Sequence, residues 1–250
     1  MVRVLKLPFR AIEGTSVVGP FFWCAFDQDD EDPHLQVIFR KSDVRKKGLT
    51  RGWELMLSHS LATGVTTGYA KGTESSDMVA SVEHLKACAQ QVAHPMLLPV
   101  IILSHDLSAK NDQKQRDARD WLRRLEHAVS MRNEIQEDEG YVKDAVMDLD
   151  QINRDLVECH SQVLWKRPQA YQEIVREMEK GMDRFKEKLP PERDVPEVSK
   201  LHRSMKARLE FYWNKLKGIE NYAHTTLERL TIQRAAVSIW TIHHGVQGKG

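Results

Sequence analysis

Three long stretches in the second half of the chain repeat apolar residues at steps of three and four. The first stretch carries Val142, Val146, Leu149, Ile152, Leu156, Cys159 and Val163, and the second carries Tyr171, Ile174, Met178, Met182, Phe185 and Leu189. The third carries Val198, Leu201, Met205, Leu209, Tyr212, Leu216, Ile219, Ala223 and Leu230. Steps that average ~3.5 residues predict helices, each with an apolar stripe that another helix covers.

Prolines and glycines set the bounds of these helices at 141–166, 169–189 and 197–240. Gly140 precedes the first helix, and the short connection at Arg167 and Pro168 favours an antiparallel pairing of the first two. The third helix would be ~65 Å long at 1.5 Å per residue. A helix of that length predicts a projecting stalk, or a helix that pairs with other chains, followed by a frayed C-terminus.

The first half of the chain follows a different pattern. Short apolar runs at 2–7, 35–39 and 53–57 predict strands, and residues 65–70 are either another strand or a loop. Helical spacing starts after residue 74 and leaves open whether 99–129 is one helix or two with a break near 110–112. The predicted fold is α+β and predominantly helical. Its small N-terminal α/β region (1–140: strands in 1–74, helices in 75–140) precedes a long-helix hairpin and one stalk-like helix (141–250).

Composition limits the class of protein. The chain has 250 residues and a net charge of +1, so as a whole it is no polycation and nucleic acid is not an expected partner. Three widely spaced cysteines fit a reducing compartment, where they act as small apolar residues. The most apolar stretch, residues 96–103, contains Pro99 and is far shorter than the ~20 residues of a membrane span. With no signal sequence at the N-terminus, we expect a soluble, cytoplasmic protein.

Two charged segments are candidate ion or nucleic-acid sites. The acidic run Asp27, Asp29, Asp30, Glu31 and Asp32 supplies clustered hard oxygens, but Asp32 stands where an EF-hand loop requires glycine. The basic residues that follow are Arg40, Lys41, Arg45, Lys46, Lys47 and Arg51. They lack the interleaved aromatic residues that stack on bases. The acidic segment is interpreted as a solvated loop, and the basic patch as a surface that this loop neutralises in space.

Catalytic and metal-binding patterns are weak. His224 and Glu228 share a helix face but lack further ligands, and His243 and His244 lie in the predicted frayed end. No GxSxG, GxxxxGK[ST] or GxGxxG occurs, the spacing of Gly64, Gly68 and Gly72 fits none of them, and Cys88 and Cys159 fall on apolar helix faces. The residues Trp165, Phe185, Tyr212, Trp213, Met178, Met182 and Met205 suit either a ligand groove or core packing, and core packing is favoured. We therefore assign no catalytic, cofactor-binding or metal-binding residue and do not expect an enzyme.

The order of elements resembles the cytosolic part of the CorA-like magnesium and divalent-cation transporters. Residues 141–166 and 169–189 would match the family's paired helices, and 197–240 its stalk. The strings at 94–103 (HPMLLPVIIL), 121–126 (WLRRLE) and 227–234 (LERLTIQR) are similar to divergent members, and the likeness covers about residues 50–237. The resemblance implies Mg²⁺ as the cation, with sensing residues between subunits that no motif locates here.

The departures from that family shape the functional expectation. The Gly-Met-Asn signature and both spans are absent. We therefore expect a truncated form that cannot conduct ions alone and has a regulatory or assembly role; its full-length relatives would lie in a membrane. The alternative is a coiled-coil scaffold that associates with itself or with partner helices through residues 141–240. A weaker hypothesis is an enzyme with a composite site in the N-terminal region.

Overall fold

The computed structural model describes residues 4–11, 19–27, 31–42, 52–73, 76–88, 94–130, 141–143, 146–163 and 168–247. The chain divides into two compact units, each built from two separate parts of the sequence. Unit 1 comprises Met1–Ser108 and Pro168–Lys217, and unit 2 comprises Ala109–Arg167 and Gly218–Gly250. This division differs from the predicted boundary at residue 140, because the helices after Gly140 are shared between two hydrophobic cores.

Unit 1 contains an antiparallel sheet with the strand order β1-β2-β3-β4. The strands are β1 (Pro20–Phe26), β2 (His34–Lys41), β3 (Trp53–Ser60) and β4 (Thr66–Gly72). Alternate side chains point into the core, as the period of two requires. Leu35, Val37 and Phe39 of β2 are fully buried, and Phe39 meets Trp53 edge to face at 4.6 Å between ring centroids.

The strands predicted at 35–39 and 53–57 are confirmed, and the segment after Gly64 forms β4. The strand predicted at 2–7 is wrong over its described part, because residues 4–6 form a turn. Lys6 has φ 47° there, a left-handed conformation that a regular strand does not contain. The prediction missed β1 entirely.

The described residues form six α-helices. They are α1 (Met78–Ala87), α2 (Leu97–Asp106), α3 (Ala109–Ser130), α4 (Leu149–Val163), α5 (Pro168–Lys188) and α6 (Pro196–Gln247). The predominantly helical α+β class is therefore confirmed, as is the very long C-terminal helix. The open question at 99–129 resolves as two helices, since α2 ends before α3 begins at Ala109.

Helix α5 contributes to the core of unit 1 by packing on strand β1. A side chain at Gly181 would place its Cβ 3.0 Å from Sγ of Cys24, so the glycine permits close approach of the helix to the strand. Arg184 Nη1 donates a hydrogen bond of 2.6 Å to the carbonyl of Cys24. Part of the apolar stripe of α5 is thus covered by the sheet, because an apolar sheet face buries a helical stripe as well as a helix does. Helix α6 also lies beside α5, since Lys206 of α6 pairs with Asp183 of α5 at 2.6 Å.

Unit 2 has its own core, formed by α3, α4 and the second part of α6. The buried side chains are Ala118, Leu122, Leu125, Ala128, Val129, Ile152, Leu156, Cys159, Val163, Ala223, Leu230 and Val237. Arg229 of α6 makes a two-pronged ion pair with Glu126 of α3, with 2.8 Å between Nε and Oε1. Each helix in this unit therefore presents an apolar face to the others.

Two helix bounds differ from prediction. The first heptad helix begins at Leu149, because Val142–Lys143 (β5) and Val146–Met147 (β6) pair as a short antiparallel hairpin. The third helix continues to Gln247, so the end predicted to fray after residue 240 is helical up to that point. The antiparallel pairing of the helices at 141–166 and 169–189 stays a prediction.

Candidate functional site

A cavity of about 290 Å³ opens in unit 1 between the β3–β4 turn and the segment that joins α5 to α6. Its walls are mainly apolar, with a guanidinium, a carboxylate and an imidazole among them. The side chains that define it are His59, Leu61, Phe185, Glu192, Arg193 and Val198. Apolar walls with a few polar groups are typical of small-molecule pockets.

Arg193 joins the two edges of this cavity. Its Nη2 donates a hydrogen bond of 2.8 Å to the carbonyl of Ala62 in the β3–β4 turn. Gly64 in the same turn has φ 71°, and a Cβ there would collide with the guanidinium of Arg193. The turn therefore favours glycine for its left-handed backbone, and a side chain at this position would also displace the guanidinium of Arg193.

A row of buried imidazoles leads inward from the cavity. Nδ1 of His59 lies 2.8 Å from Oγ1 of Thr66, and its ring meets Phe185 at 5.5 Å between centroids. The ring of Phe185 in turn contacts that of His94, with 4.5 Å between the ring centroids. Nε2 of His94 lies 3.1 Å from Nδ1 of His202 on α6, which completes the row.

All three histidines in this row favour the neutral form. Burial lowers the pKa of His94 to about 3. Burial also lowers the pKa of His59 to about 4, and the positive charge of Arg193 contributes to that shift. Burial also lowers the pKa of His202. Neutral rings can accept and donate a hydrogen bond, as His94 and His202 do here, while the ring of Phe185 separates that pair from His59.

A second polar cluster has the residue types of a hydrolytic triad. Oγ of Ser58 lies 2.8 Å from Nδ1 of His34, and Nε2 of His34 lies 2.8 Å from Oδ2 of Asp32. Ser58 is 0% exposed, so its hydroxyl cannot reach a substrate in this conformation. Hydrogen bonds from His34 and Ser60 lower the pKa of Asp32 to about 2, and the cluster anchors the segment before β2 to β3.

The described members of the acidic run are engaged within the fold. Asp27 Oδ1 accepts a 2.9 Å hydrogen bond from the backbone N–H of His34, and Asp32 belongs to the cluster above. Residues 28–30 lie outside the described residues. In the basic run, Lys41 pairs with Asp106 at 2.7 Å, whereas Arg45, Lys46, Lys47 and Arg51 lie outside them.

The histidine and cysteine candidates whose side chains the structure describes lie at separate places in the fold. His224 and Glu228 pair on the surface of α6 at 3.5 Å, and the side chains of His243 and His244 are outside the described set. Cys159 is buried, its Sγ donates to the carbonyl of Ala118 at 3.3 Å, and burial raises its pKa to about 11. No three His, Cys, Asp or Glu side chains converge as a metal site among the residues that the structure describes.

The described aromatic and methionine residues that suited either a ligand groove or core packing belong to the core of unit 1. Met178, Met182, Met205 and Phe185 are buried in the core of unit 1, and Tyr212 and Trp213 pack against it. Trp165 lies outside the described residues. Only Phe185 of this set also lines the cavity.

Sequence reasoning missed the imidazole row. One signal was present, because His202 stands four residues after Val198 and three before Met205, on the buried face of the third helix. A polar residue on an apolar stripe indicates a buried partner. Nothing in the local pattern of residues 94–96 identifies that partner as His94, since the two histidines are 108 residues apart.

A separate surface feature occurs on α6 within unit 2. Ile232 and Ile239 are 65% and 68% exposed, and Ala235 between them is exposed as well. Their spacing of three and four matches the a and d positions of a coiled-coil seam. This exposed seam (Ile232, Ala235, Ile239) is distinct from the face that carries the buried residues Thr226, Leu230 and Val237.

No protein-family model, curated protein or solved structure matches the chain. Across the described residues, no helix combines the length and apolar character that crossing a bilayer demands. Function is therefore proposed from the element order and the surfaces above.

Proposed function

We propose that this chain is an assembly and regulatory part of a CorA-like cation transport system, located in the cytoplasm and responsive to Mg²⁺. The observation that carries the proposal is the exposed seam on α6 (Ile232, Ala235, Ile239). One face of this helix is covered by α3 and α4, and a second apolar strip remains open to another helix.

The order of elements supports the same proposal. A sheet region is followed by helices and finally by a helix of 52 residues, about 78 Å at 1.5 Å per residue. In the CorA-like family the corresponding helix is the stalk, and stalks of several subunits meet around a common axis. The exposed seam would be the surface through which copies of this chain meet.

A soluble coiled-coil scaffold is the second candidate, and the same seam favours it. The two functions differ in their response to Mg²⁺. A regulatory part of a cation transporter assembles to an extent that depends on Mg²⁺, whereas a scaffold that pairs through apolar side chains is indifferent to the cation.

Light scattering with and without millimolar Mg²⁺ tests the proposal. We expect the wild-type chain to self-associate and its mean mass to change with Mg²⁺. The double variant Ile232→Asp/Ile239→Asp should be monomeric, because two carboxylates in the seam would have to be desolvated on pairing. Val157→Asp is the matched control, since Val157 is an exposed apolar residue on α4 of the same unit.

The outcomes separate the candidates. Assembly that is unaffected by Mg²⁺ but abolished by the double variant supports the scaffold. A wild-type chain that is monomeric at high concentration under both conditions overturns both functions. Circular dichroism of the variants confirms that their helices are retained.

A further inference from the structure

Two imidazoles meet where α1 and α2 end in unit 1. His84 lies in the last turn of α1 and His105 in the last turn of α2. Nδ1 of His84 is 3.4 Å from Nε2 of His105, and the ring planes are inclined at 80°. His84 is exposed and His105 is half-buried, unlike the buried histidines beside the cavity.

The distance between these nitrogens fits a shared metal ion as well as a long hydrogen bond. A strong hydrogen bond to nitrogen or oxygen spans ~2.7–3.2 Å, and the buried pair of His94 and His202 falls within that range at 3.1 Å. The pair of His84 and His105 exceeds it. Two nitrogens 3.4 Å apart, each ~2.05 Å from a common Zn²⁺, subtend ~110° at the metal, close to the tetrahedral angle.

We propose that His84 and His105 form a binding site for a transition-metal dication, represented by Zn²⁺. Imidazole nitrogen suits Zn²⁺, Ni²⁺ and Cu²⁺, whereas Mg²⁺ takes oxygen ligands. The site is therefore chemically separate from the Mg²⁺ response proposed above. It joins two helices through one ligand from each.

The surroundings of the pair define the coordination. Glu83 pairs with Lys86 at 2.8 Å, and the carboxylate of Asp106 is held by Lys41 and Tyr171. Within the described part of the chain no third side chain joins the two imidazoles. Water would occupy the two remaining positions of a four-coordinate ion, one more than in open zinc sites with three protein ligands.

The supporting helix is well anchored. Six residues of α2 besides its terminal Asp106 are buried: Leu97, Pro99, Val100, Ile101, Ile102 and Leu103. Because α2 is held rigidly in the core, the position of His105 is fixed before a metal binds. Less conformational entropy is then lost when the two ligands are ordered around the metal.

Titration calorimetry of the intact chain with Zn²⁺ tests the proposal. We expect one Zn²⁺ site whose affinity falls at least tenfold in His84→Ala and in His105→Ala. His224→Ala should bind as the wild type does, although His224 also has a nearby partner in Glu228. Millimolar Mg²⁺ should not displace the Zn²⁺.

A second readout ties binding to the two helices. Zn²⁺ should raise the Tm of the wild-type chain and leave the Tm of His84→Ala unchanged, because a ligand that binds only the folded state stabilises it. Unchanged Zn²⁺ affinity in both alanine variants, or its loss in His224→Ala alone, overturns the proposal. His84→Gln keeps a polar side chain on the helix and should match His84→Ala if metal ligation is the cause.

Discussion

Nε2 of His94 donates a hydrogen bond to Nδ1 of His202, 3.1 Å away and 108 residues later in the chain. The direction follows from the backbone N–H of Met96, which donates to Nδ1 of His94 at 3.2 Å. A ring nitrogen that accepts carries no proton, so the proton of neutral His94 lies on Nε2. A proton added to Nδ1 of His94 or to Nδ1 of His202 would point at another N–H group. Both hydrogen bonds therefore form only when the two rings are neutral.

The chain should lose stability between pH 6.5 and about pH 4. Burial holds the pKa of folded His94 at about 3 and of His59 at about 4, below the unfolded value of ~6.5. Between these values the unfolded state binds more protons, so the free energy of unfolding falls as the pH falls. Each histidine should cost about 2 kcal/mol at pH 5 relative to pH 8. Urea unfolding at the two pH values measures the difference.

The variant His94→Gln should lower stability at pH 8 and reduce the pH dependence by about 2 kcal/mol. His224→Gln is the control, because His224 is exposed on α6. The titration of Asp32 does not contribute to this difference between pH 8 and pH 5. Its pKa is about 2, so the stability that its ionised carboxylate provides is lost only below pH 4. Equal stability of the wild type at pH 8 and pH 5 would contradict the prediction.

Replacement of two helical glycines by alanine should have different effects. A Cβ at Gly218 would meet nothing within 4 Å, so Gly218→Ala should stabilise unit 2 by up to ~1 kcal/mol through helix propensity. A Cβ at Gly181 would lie 3.0 Å from Sγ of Cys24, and the strain should offset that gain. Thermal or urea unfolding of the two variants measures both effects.

A double-mutant cycle isolates the contact between α5 and β1. Cys24→Ala removes the sulfur that faces Gly181, so the double variant should be more stable than the sum of the single changes indicates. A coupling of ~0.5–3 kcal/mol is expected for residues in contact. Additive effects would show that the helix moves away from the strand at no cost.

Removal of Lys41 should be far more damaging than removal of an exposed lysine. The buried carboxylate of Asp106 accepts hydrogen bonds from Lys41 Nζ at 2.7 Å and from the hydroxyl of Tyr171. Lys41→Met should cost ~3–5 kcal/mol, because it removes a positive charge that lies 2.7 Å from a buried carboxylate. Lys206→Met is the control; its ion pair with Asp183 is exposed and contributes ~0–1 kcal/mol.

The prediction is tested by how much more unfolding free energy is lost in Lys41→Met than in Lys206→Met. Similar small losses of unfolding free energy in Lys41→Met and Lys206→Met would show that Asp106 is well hydrated. Tyr171→Phe should fall between them, at ~1–3 kcal/mol, since it removes one donor and no charge.

Only one of the three cysteines should react readily with a thiol reagent in the folded chain. Cys88 is half-buried, whereas Cys24 and Cys159 are buried and burial raises their pKa values to about 12 and 11. The thiolate is the reactive form, so these two are protected by both access and protonation. Spectrophotometric counting at pH 8 should find one reactive thiol without denaturant and three in denaturant.

Local patterns predicted a large part of the secondary structure. The stripe from Tyr171 to Phe185 became α5, and the short apolar runs at 35–39 and 53–57 became β2 and β3. These predictions succeed because the period of side chains along one element is a property of a few consecutive residues. The prediction failed at residues 4–6, where a left-handed Lys6 interrupts an apolar run that reads as a strand.

Local sequence patterns predicted little of the candidate site. His59, His94 and Arg193 come from three distant parts of the chain, and none stands in a recognisable motif. Only His202 carried a signal, as a polar residue on an apolar face. The pair of His84 and His105 had no signal either, because the two residues are on separate helices and meet only when α1 packs on α2.

The sequence by itself determined where the long helices and the strands β2 and β3 form, since hydrophobic period, proline and glycine act locally. The tertiary structure alone decided which surface covers each stripe. Phe185 and Cys159 lie on successive heptad helices, yet one is buried in unit 1 and the other in unit 2. An apolar stripe gains similar free energy from any apolar surface that excludes water, so its periodicity does not specify its partner. Close contacts such as Gly181 on Cys24 make that selection, and they exist only once the chain is folded.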